Sequence, residues 1–192
     1  MNSMKRLAIL GSDSGATMQA ISDEINRGAI DAEIVIVGSN DPAAYIVERA
    51  QSLSIPTFTF ESDNSHSRLD EELQENLAQH LDNHEIDLVC LAGFDKKITK
   101  VFLERFPGSV INITPEILSA CPDKDEWKDD NHVTSSGCTV HYLDRTQDNI
   151  IAQSFIPVFP EDNPQFIERR IEQAECKLYP KAVAKVLKGL DN

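Results

Sequence analysis

The sequence is poor in several features that would assign a function class at once. It has four cysteines, Cys90, Cys121, Cys138 and Cys176, with no CxxC pair and no run at metal-ligand spacing. No metal or redox motif is therefore expected, and Cys90, inside an apolar strand pattern, reads as a small core residue. No apolar stretch approaches the length of a membrane span. The short apolar run within Met4 to Leu10 has no small-residue cleavage site after it, so a reducing cytoplasm is the expected setting. Basic residues are outnumbered: 18 Lys and Arg against 32 Asp and Glu give a formal charge of -14. That balance excludes a nucleic-acid or anionic-membrane surface, both of which reward clustered Lys and Arg. A small anionic ligand is still compatible with it, because backbone amides at one helix terminus can hold a phosphate. The expected partners are small molecules, with a homo-oligomer left open.

What is present is an ordinary globular composition, 41% apolar in 192 residues. This suits one well-buried domain over residues 1–192, and no repeat or linker divides it. Lys5 to Leu10 reads as a strand buried on both faces. Gly11-Ser-Asp-Ser-Gly15 and a helix over Ala16 to Asn26 follow it. Strand, glycine-bearing turn and helix point free amides at an anion; a plain strand-to-helix turn is the alternative. Ala32 to Val37 and Pro56 to Phe60 read as strands, and Pro42 to Ser52 as an amphipathic helix. Ser67 to His84 reads as a long helix with Leu69, Leu73, Leu77 and Leu81 every four residues. Glu85 to Ala92 is another buried strand, and Ser109 to Ile113 a further one that must stop at Pro115, which lacks the amide a ladder needs. Gly137 to Leu143 and Ile150 to Val158 pair as a hairpin across Asp144 to Asn149. Pro164 to Leu187 reads as a long helical stretch interrupted at Pro180, with Gly189 as its stop. Alternating strands and helices imply an α/β, doubly wound and mostly parallel sheet, with an antiparallel strand pair near the C-terminus.

Polar residues at the carboxyl end of a parallel strand face the crevice where ligands bind. Asn112 and Thr114 share one face of such a strand, and Asp148 can reach the same crevice from the hairpin tip. An amide beside a carboxylate suits acyl or formyl transfer: the amide donates to a developing oxyanion, and the carboxylate manages the proton of an attacking amine. On residue type alone, a turn role for Asp148 and a loop-satisfying role for Asn112 outweigh the catalytic ones. His141 reads as a structural strand histidine. His80 and His84, four apart on a helix, have a metal-compatible spacing but no third ligand in sight. The Asp- and Lys-rich stretch from Pro122 to Asn131, which contains Trp127, reads as a solvated loop.

The order of features resembles the glycinamide ribonucleotide formyltransferase family over nearly the whole chain. The resemblance is carried by Gly15-Ala-Thr-Met-Gln-Ala-Ile21, Leu91-Ala-Gly-Phe94, Val110-Ile-Asn-Ile113, Gly137-Cys-Thr-Val-His141, Ile156-Pro-Val158 and Glu175-Cys-Lys-Leu-Tyr-Pro180. It implies the formyltransferase-type sheet and transfer of a formyl group from formyl-tetrahydrofolate, as co-substrate, to an amine. It further implies that Gly15, Ala16 and Thr17 hold a ribonucleotide phosphate, that Glu175 contacts the ribonucleotide, and that Arg68 lies near the phosphate and formyl region. Phe94, Asp95, Lys96 and Lys97 match the segment lining the pterin pocket, with Gln147 in the loop beside it. Asn112 and Asp148 match two of three catalytic positions; the third is Thr114, where the family motif Asn-x-His-Pro-Ser has histidine. A threonine hydroxyl donates one hydrogen bond but carries no positive charge near neutral pH. Asp13 also sets a negative charge beside the expected phosphate. These departures imply an altered substrate or slowed transfer, or else a catalytically silent paralogue that acts as a ligand-binding or regulatory module.

Overall fold

The structure is a computed structural model and describes residues 4–61, 68–118, 134–144 and 149–190. The elements in chain order are β1 (Lys5–Leu10), α1 (Ala16–Asn26), β2 (Ala32–Ser39), α2 (Tyr45–Ser52), β3 (Thr57–Thr59) and α3 (Glu71–Asp82). They continue with β4 (Leu88–Leu91), α4 (Lys100–Leu103), β5 (Val110–Thr114), β6 (Thr134–Tyr142), β7 (Ile150–Val158) and α5 (Pro164–Leu190). The seven strands form one sheet in the order β3-β2-β1-β4-β5-β6-β7. β1 to β5 run parallel, and β6 runs antiparallel to both β5 and β7. The mostly parallel α/β sheet expected from the sequence is therefore present, with its antiparallel strands at the C-terminal side. Because β1 pairs with β2 on one side and β4 on the other, the order of strand addition reverses there, and a crevice opens beyond the carboxyl ends of β1 and β4.

Period-2 alternation divides the core into two layers. Leu7, Ile9, Cys90, Ile111 and Ile113 pack with residues of α1, α2 and α5, whereas Ala8, Leu10, Val89, Leu91 and Val110 pack with residues of α3 and α4. By the same alternation Asn112 and Thr114 fall on the α3–α4 side of β5. The buried thiols of Cys90 and Cys138 are both pushed up to about 12, mainly by desolvation, so both are inert core residues. Among the described residues, no helix is long and apolar enough to cross a membrane.

Element ends differ from the sequence expectation where side chains cap the backbone. α3 begins at Glu71 because the Asp70 carboxylate accepts the Leu73 N–H at 2.7 Å. α2 begins at Tyr45, after a turn in which Asp41 accepts the Ala43 N–H. The short α4 was not expected. Its entry is held by the fully buried Gln74, whose Oε1 accepts the Thr99 N–H at 2.8 Å and hydroxyl at 2.9 Å. The expected break at Pro180 is absent: α5 continues through it, and Gly189 lies inside the helix. Proline costs one amide hydrogen bond in a helix interior. Here the flanking Tyr179, Ala182, Val183, Val186 and Leu187 are all buried against the sheet, which holds both halves in line.

Tyr179 also ties the sheet together. Its hydroxyl, fully buried, lies 2.7 Å from the Leu91 carbonyl oxygen at the end of β4 and 3.2 Å from that of Ile111 within β5, and donates between them. Replacement Tyr179→Phe leaves both carbonyls without that donor in a dry site. The expected outcome is a loss of about 1–3 kcal/mol of stability, measured by urea denaturation with an unchanged m-value.

Candidate active site

Three loops leave the carboxyl ends of adjacent parallel strands and meet at one edge: Gly11–Gly15 after β1, Gly93–Lys97 after β4, and Asn112 with Thr114 at the end of β5. Ser12 joins the first two. Its amide donates to the Gly93 carbonyl at 3.0 Å, and its hydroxyl accepts the Asp95 N–H at 3.2 Å while lying 2.6 Å from Asn40 Oδ1. Close approach depends on glycine. A Cβ on Gly11 would sit 2.5 Å from the Ala92 carbonyl oxygen, and one on Gly93, at φ +63°, would strike the Asp13 carboxylate. Arg68 bridges through its backbone to Lys97 and pairs with Glu71 at 3.1 Å. The structure thus brings Arg68 to the Phe94–Lys97 segment. Lys96 is buried there, while Asp95 and Lys97 are exposed.

On the α3–α4 side, Asn112 pairs in register with His141, and its Nδ2 lies 3.5 Å from His141 Nε2. His141 Nδ1 faces the Tyr142 carbonyl oxygen at 3.1 Å. That carbonyl assigns the proton to Nδ1, which leaves Nε2 as the acceptor for the Asn112 amide. One amide hydrogen is so engaged, and the other is left for a ligand. Thr114 stands opposite Thr139 on the same strand pair. Asp148 and Gln147 lie outside the described residues, as do His66, Trp127 and His132. His80 and His84 stack at 4.9 Å between ring centroids, and among the described residues no cluster of three potential ligands forms around them.

On the α1–α5 side lies a cavity of about 260 Å³ lined by Asp13, Thr17, Pro115, Glu168, Glu172 and Glu175, together with Gly93 and Ile113. Of the expected substrate set it gathers Thr17 and Glu175, while Gly15 and Ala16 are not among its lining residues. Gly15 caps α1 in the left-handed region, φ 69°, and its N–H donates to Asp13 Oδ1 at 3.0 Å. The Ala16 N–H donates to Ser14 Oγ at 3.3 Å, and that hydroxyl donates to Glu172 Oε1 at 3.3 Å. Glu168 and Glu172 are absent from the sequence-based site. Their signal was legible, since spacings of four and three along α5 place Glu168, Glu172 and Glu175 on one helical face.

Burial first, then the neighbouring Asp13 and Glu172 carboxylates, push Glu175 up to about 7. A folded value above the unfolded 4.5 means the native state holds its proton more tightly. Stability is therefore full below about 4.5 and is lost as pH rises through 7. Glu175→Gln removes this dependence. With the partial exposure of the group discounted, the variant is expected to gain on the order of 1 kcal/mol over the parent at pH 8 and almost nothing at pH 4.5. Thermal denaturation at the two pH values checks it.

Comparison with known proteins places this architecture. The sequence model of the formyl transferase family matches residues 5–183. Phosphoribosylglycinamide formyltransferase from Bacillus subtilis is 34% identical over 193 residues, covering 98% of this chain and 97% of that protein. The trifunctional purine biosynthetic protein adenosine-3 of Drosophila pseudoobscura pseudoobscura is 35% identical over 191 residues, and the chain spans 14% of its length. Among solved structures, glycinamide ribonucleotide transformylase 1 from Geobacillus kaustophilus superimposes with a TM-score of 0.82 at 32% identity, covering 96% of this chain and 100% of that one. With sheet order, crevice position and sequence in agreement along almost its full length, the chain belongs to the formyl transferase family.

Proposed function

We propose that this protein transfers a formyl group from formyl-tetrahydrofolate to an amine, in the cytoplasm, with Asn112 as its central catalytic residue. The observation that carries the reading is the Asn112 side chain at the end of β5, at the edge of the crevice and held by His141. An amide fixed in this way is pre-oriented before charge develops, which is what oxyanion stabilisation requires. The amine nitrogen attacks the formyl carbon and the carbonyl electrons move onto oxygen, where the free Asn112 N–H donates to the oxyanion. The amine loses a proton to the Asp148 carboxylate. The intermediate then collapses, the bond from the formyl carbon to the folate nitrogen breaks, and that nitrogen takes a proton. Phe94, Asp95, Lys96 and Lys97, with Gln147, form the folate side of the crevice beside Arg68. The cavity at Gly15, Ala16, Thr17 and Glu175 takes the distal end of the acceptor.

Thr114 makes the transfer slow. Its hydroxyl supplies one donor, and an imidazole at this position would add a protonated donor and a proton relay. Loss of an acid–base partner costs about 10²–10⁴ in rate. The same residue supports a second reading, a silent ligand-binding or regulatory module that keeps the folate site without turnover.

Formyl-tetrahydrofolate consumption, followed spectrophotometrically with glycinamide ribonucleotide and its nucleoside as acceptors, separates these readings. Asn112→Ala is expected to lower kcat by about 10²–10³ with little change in folate KM, and Thr114→His to raise kcat by at least about tenfold. Folate-analogue binding with no turnover in either the parent or Thr114→His establishes the silent module. Absence of folate-analogue binding removes both readings.

A further inference from the structure

Among the described strands β7 ends the sheet, and α5 runs along it. Ser154 turns its carbonyl inward over Gly137 of β6, so the odd-numbered residues of β7 turn theirs outward. α5 takes up two of these outward carbonyls: Arg170 donates to Pro157 at 2.6 Å and Lys185 to Ile151 at 2.9 Å. From Arg170 to Lys185 the helix rises about 22 Å, and from Pro157 to Ile151 the strand spans about 20 Å, so the two lie antiparallel and in step. Between these tethers lies a groove of about 490 Å³. Ile156, Ala174 and Leu178 give it an apolar floor, and Lys177 and Lys181 line it with exposed side chains.

No carboxylate lines this groove, although the chain holds 32 acidic residues against 18 basic ones. Arg170 is committed to Asp162 and to the Pro157 carbonyl. Lys177 and Lys181 form no ion pair among the described residues, and the nearby acids of α1 are engaged elsewhere, Asp23 by Gln19 and Glu24 by Arg27. Like charges one turn apart destabilise a helix, a cost that an acidic partner removes. A second copy of this chain is the wrong partner: β7 paired with β7 about a two-fold axis brings the lysines of both helices together. Lysines beside a sheet edge discourage pairing in general, but they attract an acidic strand. Lys177 and Lys181 are about 6 Å apart along the helix, and alternate residues of an extended chain about 7 Å apart, so acids at every second residue meet both.

We propose that the groove between β7 and α5 docks an extended acidic segment of a partner protein. The segment adds a strand along Gln153 and sets carboxylates at alternate residues against Lys177 and Lys181. None of the residues lining the groove belongs to the candidate active site, so the proposal stands apart from the formyl-transfer reading.

The test is fluorescence anisotropy of the full chain with a labelled synthetic peptide, acetyl-Thr-Glu-Val-Glu-Val-Glu-Thr-amide. One control peptide has Gln for each Glu. A second is N-methylated at the two valine amides, which face β7 when the glutamates face α5. The acidic peptide is expected to bind at least about tenfold more tightly than either control. The double variant Lys177→Glu/Lys181→Glu is expected to lose at least about tenfold in affinity for it and to bind a peptide with Lys in place of Glu, which also shows that the variant is folded. Equal binding of the glutamine or the N-methylated peptide overturns the proposal, as does binding that survives the double charge reversal. Absence of binding to every peptide overturns it too. A dimer of the parent chain in sedimentation velocity that the double variant lacks assigns the edge to a second copy, and the proposal falls.

Discussion

One buried hydroxyl ties together the two strands that lead into the candidate site. Tyr179 Oη lies within hydrogen-bond reach of the Leu91 carbonyl at the end of β4 and of the Ile111 carbonyl in β5, just before Asn112. Where two parallel strands end, their ladder has no further partner to hold them. A donor supplied from a helix on one face fixes their spacing instead. The same helix, α5, carries Glu168, Glu172 and Glu175 to the cavity beside Asp13 and Thr17, so a single element braces β4 and β5 and sets the charge of that cavity.

The two faces of the sheet divide the chemistry. On the α3–α4 side, His141 consumes one hydrogen of Asn112 and commits the other to a ligand, while buried Gln74 fixes the segment that follows Lys97. On the α1–α5 side, carboxylates concentrate without cationic partners, and burial and mutual repulsion push Glu175 up to about 7. The net charge of -14 is therefore not only a property of the solvated surface, since part of it is folded into a cavity. A reaction that joins an acceptor from one side to a one-carbon donor from the other needs its oxyanion donor at the boundary. β5, ending between them, provides that boundary.

Much of this was readable in the chain. The apolar alternation of β1, β4 and β5, the leucine period of α3 and the stop at Pro115 are local signals, and each led to the right element. The resemblance named Gly15, Thr17, Glu175, Phe94 to Lys97 and Arg68 as site residues; the structure sets Thr17 and Glu175 in one cavity and Arg68 beside Lys97. The errors have local physical causes: the Asp70 side chain caps α3 at a later start, a turn closed by Asp41 precedes α2, and tertiary packing carried α5 over a proline that propensity alone would treat as a break. Asp148, on which the proton transfer rests, stays a proposal from sequence.

By itself the sequence determined the class of fold, the strand that carries Asn112, and the exchange of an imidazole for the Thr114 hydroxyl, because periodicity, punctuation and residue identity are properties of neighbours along the chain. Only the tertiary structure decided that His141 orients Asn112, that Ser12 clasps two loops, and that the Asp13 carboxylate accepts the Gly15 amide at the start of α1. Those contacts join residues between 2 and 83 positions apart. Even the shortest of them takes its meaning from Gly93 and Glu175, which long-range strand pairing and helix docking bring alongside.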